Sequence, residues 1–394
     1  MERSHVTRMR GFSFAIPALM DGMLGMVQVA IPLLAIRFGA TAWFLGMLGW
    51  TAQGVRFPVT LSAGALSERI GRTRVIIPAA FLAALACVGL ALARNNNEVL
   101  IAYILLMAAI GAFYPALQAF IGDQSPQGEL RKNLSAFNIG WTSGGAICGL
   151  LGGYLLAAGR ALPFSIGTVL AVGSMIFVFA WAHSAVGTMH AAEDAETQPA
   201  TAGPGPLLFI ARTGHFLGFF GYAVARSLFP KLGVELGFSE GEIGVLVGLL
   251  IVGQALGIFI ASAGPWWRGK LWPQILAQGM AMASGLLVFA TSSKLLFAAA
   301  FLTQGIALSI AYTAALYYGL QARTNMGRNT GIHESLVAAG NIIGSFIGGA
   351  VAQFISLRAP YLTFAGLSLL AIIVSLSYWR FSTRPTSSPK TSQA

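Results

Sequence analysis

Gly64-Ala65-Leu66-Ser67-Glu68-Arg69-Ile70-Gly71-Arg72-Thr73-Arg74 is a charged turn set between two long apolar runs. Only 9% of the 394 residues are Asp, Glu, Lys or Arg, yet four of them fall between Glu68 and Arg74. The runs on either side are long enough to cross a bilayer, which takes about 20 mostly apolar residues. The turn therefore reads as a short connection between two membrane helices.

Working outward, the whole chain has the same character. Hydrophobic residues make up 56% of it and the mean hydropathy is +0.72, well outside the range of soluble domains. We read twelve spans, at 12–36, 42–66, 74–93, 99–121, 134–157, 163–183, 207–230, 241–263, 273–292, 295–320, 331–355 and 360–380. The first follows Arg3, Arg8 and Arg10 as the core of a signal peptide would, but it is too long for one and carries Asp21. We retain it as a helix.

The net charge of +11 reports topology rather than a nucleic-acid partner. Placing the 67–74 turn on the inside puts fifteen Lys and Arg on that side, six on the other and three (Arg56, Arg212, Arg226) within spans. This is the positive-inside bias, and it puts both termini in the cytoplasm, with a bacterial inner (plasma) membrane as the expected location. Cys87 and Cys148 fall within spans, and the five His lack metal-ligand spacing, so we read no disulfide framework, metal site or cofactor. A phosphate-binding Gly-x-x-x-x-Gly-Lys-Ser/Thr loop is absent from the sequence. No clustered nucleophile and base point to an enzyme.

The chain is a duplication. Pro32, Gly39, Gly46 and Gly71 recur 198 positions later as Pro230, Gly237, Gly244 and Gly269; Lys132-Asn133, Gly144 and Gly152-Gly153 recur at an offset of 196 as Arg328-Asn329, Gly340 and Gly348-Gly349. Between the halves, residues 184–206 are polar and rich in Pro and Gly, a flexible linker. The expected organisation is a six-helix bundle over 1–183, the linker over 184–206, a second six-helix bundle over 207–380 and a disordered tail over 381–394.

The opening turn resembles the loop signature of the major facilitator superfamily of transporters, Gly-x-Leu-x-Asp/Glu-Arg-x-Gly-Arg-Arg/Lys, with Gly64, Glu68, Arg69, Gly71 and Arg72 at the motif spacing. That resemblance implies an all-α membrane fold of two pseudo-symmetric six-helix bundles. It implies secondary active transport by alternating access about a midplane site. It also implies a cytoplasmic gate in which Glu68 meets the start of the eleventh helix near Gly331 and Arg72 pairs with Asp123. The second-half echo, Pro265-Trp266-Trp267-Arg268-Gly269-Lys270, has lost the acidic position.

Polar residues inside spans are the candidate site, because a charge at the bilayer centre costs roughly 2.5–3.5 kcal/mol. Asp21 and Gln28 share a face of the first helix. Arg56 lies deep in the second, and Arg212, His215, Tyr222 and Arg226 form a stripe on the seventh. In the repeat register Gln28 corresponds to Arg226 and Arg56 to Gln254. Tyr114 and Gln118 share a face of the fourth helix. We take Gln28, Arg56, Gln118, His215, Tyr222, Arg226 and Gln254 as substrate-binding candidates, and Asp21 and Glu334 as proton-coupling candidates. Glu334 also reads simply as a carboxylate at a helix start, and Arg212 as a snorkelling end residue.

Three candidate cavity cations lean the reading toward a small polar or anionic solute, moved by a monomer with protons as the coupling ion. The glycines at 140, 144, 145, 149 and 152 read as packing positions. They also resemble an incomplete form of a drug–proton antiporter motif, since no Pro follows Gly144. Efflux of hydrophobic compounds and a non-transporting membrane scaffold are the alternatives.

Overall fold

The computed structural model describes residues 2–126, 128–184, 205–321 and 326–383. Twelve helices fill it: α1 (Glu2–Arg37), α2 (Ala42–Ile70), α3 (Thr73–Leu92), α4 (Asn96–Gln124), α5 (Leu130–Ala158), α6 (Leu162–Ser184), α7 (Gly205–Glu235), α8 (Glu240–Ser262), α9 (Trp272–Ala290), α10 (Lys294–Gln321), α11 (Met326–Phe354) and α12 (Ala359–Ser382). Residues 185–204 of the expected linker and 384–394 of the expected tail lie outside the described residues.

Eleven of these helices are long and apolar enough to span a membrane. The exception is α2, expected as the second span. Its length is sufficient, but Gln53 and Arg56 interrupt its apolar run. That departure is itself informative, because α2 packs against α11 and α7 of the other half as well as α4 of its own.

Local signals delimit the helices. Thr41, Asn95 and Ser239 are N-caps whose side chains accept from the backbone N–H three residues on, and Ser239 forms a full capping box with Glu242. The repeat-related glycines Gly39 and Gly237 both adopt positive φ (78° and 75°) just past the ends of α1 and α7, a conformation that a Cβ disfavours.

The packing repeats as the sequence does. The pairs α1–α5, α2–α4, α3–α4, α3–α6 and α1–α6 are matched in the second half by α7–α11, α8–α10, α9–α10, α9–α12 and α7–α12. Helices α1 and α7 run through the centre, while α6 and α12 turn large apolar residues such as Val169, Phe177, Leu370 and Ile373 outward. The five glycines on α5 and their counterparts on α11 act in packing. Gly144 abuts the α1 backbone at Ala18, and Gly344 lies against the α7 backbone at Phe220.

Candidate functional site

The two halves meet along two equivalent seams, α2 with α11 and α5 with α8. Each seam is a glycine contact. A Cβ added at Gly46 would lie 2.7 Å from the Cα of Gly349, and one added at Gly244 would lie 2.7 Å from the N of Gly153. All four glycines belong to the repeat pairs read from the sequence.

Both contacts lie toward the end of the bundle opposite the 67–74 turn, here called the far end. Arg37 reaches across it to Glu240 with two hydrogen bonds of 2.6 Å, and donates a third to the Leu156 carbonyl at 3.1 Å. The Trp43 amide donates to Gln353 at 3.2 Å, and the Lys231 ammonium to the Ala40 carbonyl at 3.2 Å. These bonds close the far end with backbone proximity and a bidentate ion pair.

The motif end is arranged differently. Arg72 pairs with Asp123 at 3.0 Å and donates to the Ser67 hydroxyl at 2.8 Å, so it ties α2 to α4 within one half. Glu68 is 69% exposed, and its described partner is Arg72 at 3.9 Å. Among the described residues it has no hydrogen bond or ion pair with α11, and a Cβ at Gly64 or Gly331 would meet nothing within 4 Å. Arg69 is exposed. The second-half echo is held by aromatics: Trp267 is buried and donates to the Ala261 carbonyl at 2.9 Å, while the Tyr318 hydroxyl accepts from the Gly269 amide. Arg10 and Lys132 flank Glu129 at 2.6 and 2.7 Å, and Lys132 first, then Arg10, holds that carboxyl below its usual range.

Between the ends sits a charged cluster. Tyr114 on α4 donates its hydroxyl to the Asp21 carboxylate on α1. Arg56, half-buried on α2, lies within electrostatic reach of both Asp21 and Glu334, the latter on α11 across the gap between the halves. The Tyr114 ring also meets Phe137 edge-on at 6.2 Å. A carboxylate, a phenol hydroxyl and one guanidinium are thus grouped where the two halves face each other.

Other expected site residues lie elsewhere. Gln28 and Arg226 meet in a second layer, nearer the far end. The guanidinium donates to Gln28 Oε1 at 2.6 Å and sits 5.3 Å over the Tyr222 ring, and all three side chains are buried. His215, expected to line the cavity, is fully enclosed because α10 and α11 close over that stretch of α7. Its ring lies 4.2 Å from that of His333 and 5.4 Å from that of Tyr312. Arg212 caps this group from the motif end and donates to Asn329 at 2.9 Å. Gln254, the repeat partner of Arg56, accepts from the Ser309 hydroxyl at its backbone carbonyl. Gln118 is exposed one turn beyond Tyr114.

Sequence reading missed Tyr103, Ser227, Tyr312 and the Arg37–Glu240 pair. A tyrosine or serine in an apolar helix carries no distinctive signal. The partners of the ion pair are 203 residues apart and each reads alone as an end charge.

The fold has solved counterparts. A bacterial homologue of the human lysosomal transporter Spinster, in an inward-facing and unoccupied conformation, superposes with a TM-score of 0.73 at 14% identity, covering 96% of this chain and 99% of that one. The POT family transporter PepTSo gives 0.73 at 16% identity (95% and 98% covered), and the nucleoside transporter NupG 0.68 at 10% (94% and 99%). At these identities the likeness is one of fold. No curated protein matches the chain at a significant level. The sequence model of the Major Facilitator Superfamily matches residues 13–217 and again 211–394, one match per repeat, and the chain therefore belongs to that superfamily of membrane transporters and is not an enzyme.

Proposed function

We propose that this transporter couples the movement of a small polar, anion-bearing solute to protons, with Asp21 as the proton carrier and Arg56 as the solute's anchor. The observation that carries this reading is the grouping of Tyr114, Asp21 and Arg56, with Glu334 facing them from the other half. Ionised Asp21 competes for Arg56. Protonated Asp21 releases it, and the guanidinium then offers its donors to a carboxylate or similar group. Proton and solute charge thus enter together at the Asp21–Arg56 pair, and neither alone leaves that pair balanced.

Of the three cations expected in the cavity, Arg56 is the one grouped with carboxylates. Arg226 and His215 are enclosed, so the case for an anion rests on a single guanidinium. With the basic end taken as cytoplasmic, the open motif end and closed far end correspond to an inward-open state. Glu68, Arg72 and Asp123 would then act as the latch of the opposite state, in a bacterial inner membrane and within a single chain.

Two carboxylates to one guanidinium favour a second reading, export of an amphipathic cation against protons. One experiment separates them. Proteoliposomes loaded with a pH-sensitive dye are challenged with a panel of small carboxylates and a panel of lipophilic cations. The first reading requires a carboxylate to drive protons in its own direction, and the second a cation to drive them the opposite way. In either case Asp21→Asn should cut proton movement more than tenfold while leaving solute exchange. Full proton coupling in Asp21→Asn would overturn the assignment.

A further inference from the structure

Arg226 is buried, at 7% exposure. Its protein contacts are neutral: the Gln28 oxygen and Tyr222, by both ring and hydroxyl, with Tyr103 close by. Among the described residues no carboxylate pairs with it. Arginine does not lose its proton in a protein, and a buried charge without an opposite charge is strongly destabilising.

Beside it lies a cavity of about 20 Å³, bordered by Gln28 and Ile31 of α1, Leu45 of α2, Tyr103 of α4, and Arg226 and Ser227 of α7. Its polar edge is made of donors. The guanidinium only donates, so the Gln28 oxygen must face it and the amide NH₂ is directed elsewhere. The Tyr103 and Ser227 hydroxyls have no protein hydrogen bond among the described residues. Three donor groups (the guanidinium and the Tyr103 and Ser227 hydroxyls), one fixed positive charge and no acid border a space with room for roughly one water-sized particle.

We propose that this cavity is a binding site for a monatomic anion of the halide class. A water molecule would satisfy hydrogen bonds there but leave the charge uncompensated. A halide does both, and the space accommodates one small particle. The site lies in the layer between the Asp21 cluster and the sealed far end and draws on helices of both halves, so it exists in this form only while the far end is closed. The anion therefore favours the closed-far-end conformation by mass action. The inference is independent of the proton and solute assignments above, because none of its donors belongs to the Asp21 cluster.

The test uses the purified full chain in detergent. Its unfolding temperature is measured against rising sodium bromide, with sodium gluconate keeping ionic strength constant. A saturable rise is expected for the wild type, along with an anomalous bromide peak within hydrogen-bond distance of Arg226 in crystals. Arg226→Gln should abolish the rise. The double change Tyr103→Phe with Ser227→Ala keeps the charge and should weaken the apparent bromide affinity about tenfold, so the proposal stays testable if the arginine variant does not fold. Equal unfolding temperatures in bromide and gluconate would overturn it. So would a bromide effect unchanged in the double variant, or an equal rise with sodium acetate, which would mark a carboxylate subsite instead.

Discussion

The two ends of this molecule are governed by different physics. At the far end, backbones touch at Gly46–Gly349 and Gly153–Gly244, and one bidentate ion pair, Arg37–Glu240, spans α1 and α8. At the motif end the described polar contacts stay within each half: Arg72 holds Asp123, and Trp267 is buried under its own bundle. Contact between glycine backbones is short-ranged and lost outright when the helices separate, whereas exposed charges act over longer distances and are screened by water and salt. One end is a close-packed surface; the other is a set of charges awaiting a partner.

Overfilling the glycine seam should break this contrast most severely. Gly46→Leu puts a branched side chain where a single Cβ already lies 2.6 Å from the Ser345 carbonyl. Overpacking typically costs about 1–3 kcal/mol, enough to shift the balance between states by roughly 5- to 150-fold. Spin labels placed across the far end should show the longer distance become dominant; an unchanged distribution would mean the seam does not hold the closed state.

Glu240→Gln tests the ion pair with less force. Arg37 and Glu240 are partly exposed, at 34% and 20%, so solvent screening limits the loss to about 1 kcal/mol or less. The same labels should report a shift of no more than about fivefold, shrinking further in high salt. Asp123→Asn at the motif end should do less to the closed-far-end state, because its pair with Arg72 lies within one half and Asp123 is 53% exposed. The expectation is an unfolding temperature within a degree or so of wild type but slower transport, since the latch would matter only when the motif end shuts.

The smallest effect is the pH response of Glu129. Lys132 and Arg10 hold its carboxyl below the ordinary value of 4.5. The folded pKa is thus depressed, so its contribution is complete above about 4.5 and disappears as pH falls through the lower folded value. A spin label replacing Arg8 should gain mobility only below that range, and mobility that rises nearer neutral pH would assign the change to another group.

Much of the fold was legible because membrane helices announce themselves through unbroken apolar length and because the seam glycines recur at fixed offsets. The helix that broke the rule, α2, did so through Gln53 and Arg56 on a face turned to the other half. Hydropathy averages over faces and cannot register that.

The site was legible one residue at a time. Asp21, Arg56 and Glu334 stood out as charges where charges are costly, but which of them would meet depends on how two halves tilt together. His215 illustrates the limit: a polar stripe on α7 reads the same whether a cavity or α10 and α11 cover it.

The meeting of Gln28 with Arg226 has one more consequence. They are the same position in the two repeats, so the pseudo-two-fold axis passes between them. Were the halves identical, each residue on that axis would face its own twin, as in any isologous dimer. Two arginines there would repel, and two glutamines would leave no charge. The present pair is workable only because the copies differ. A single chain carrying both repeats can encode such a difference, whereas a homodimer of six-helix subunits never could.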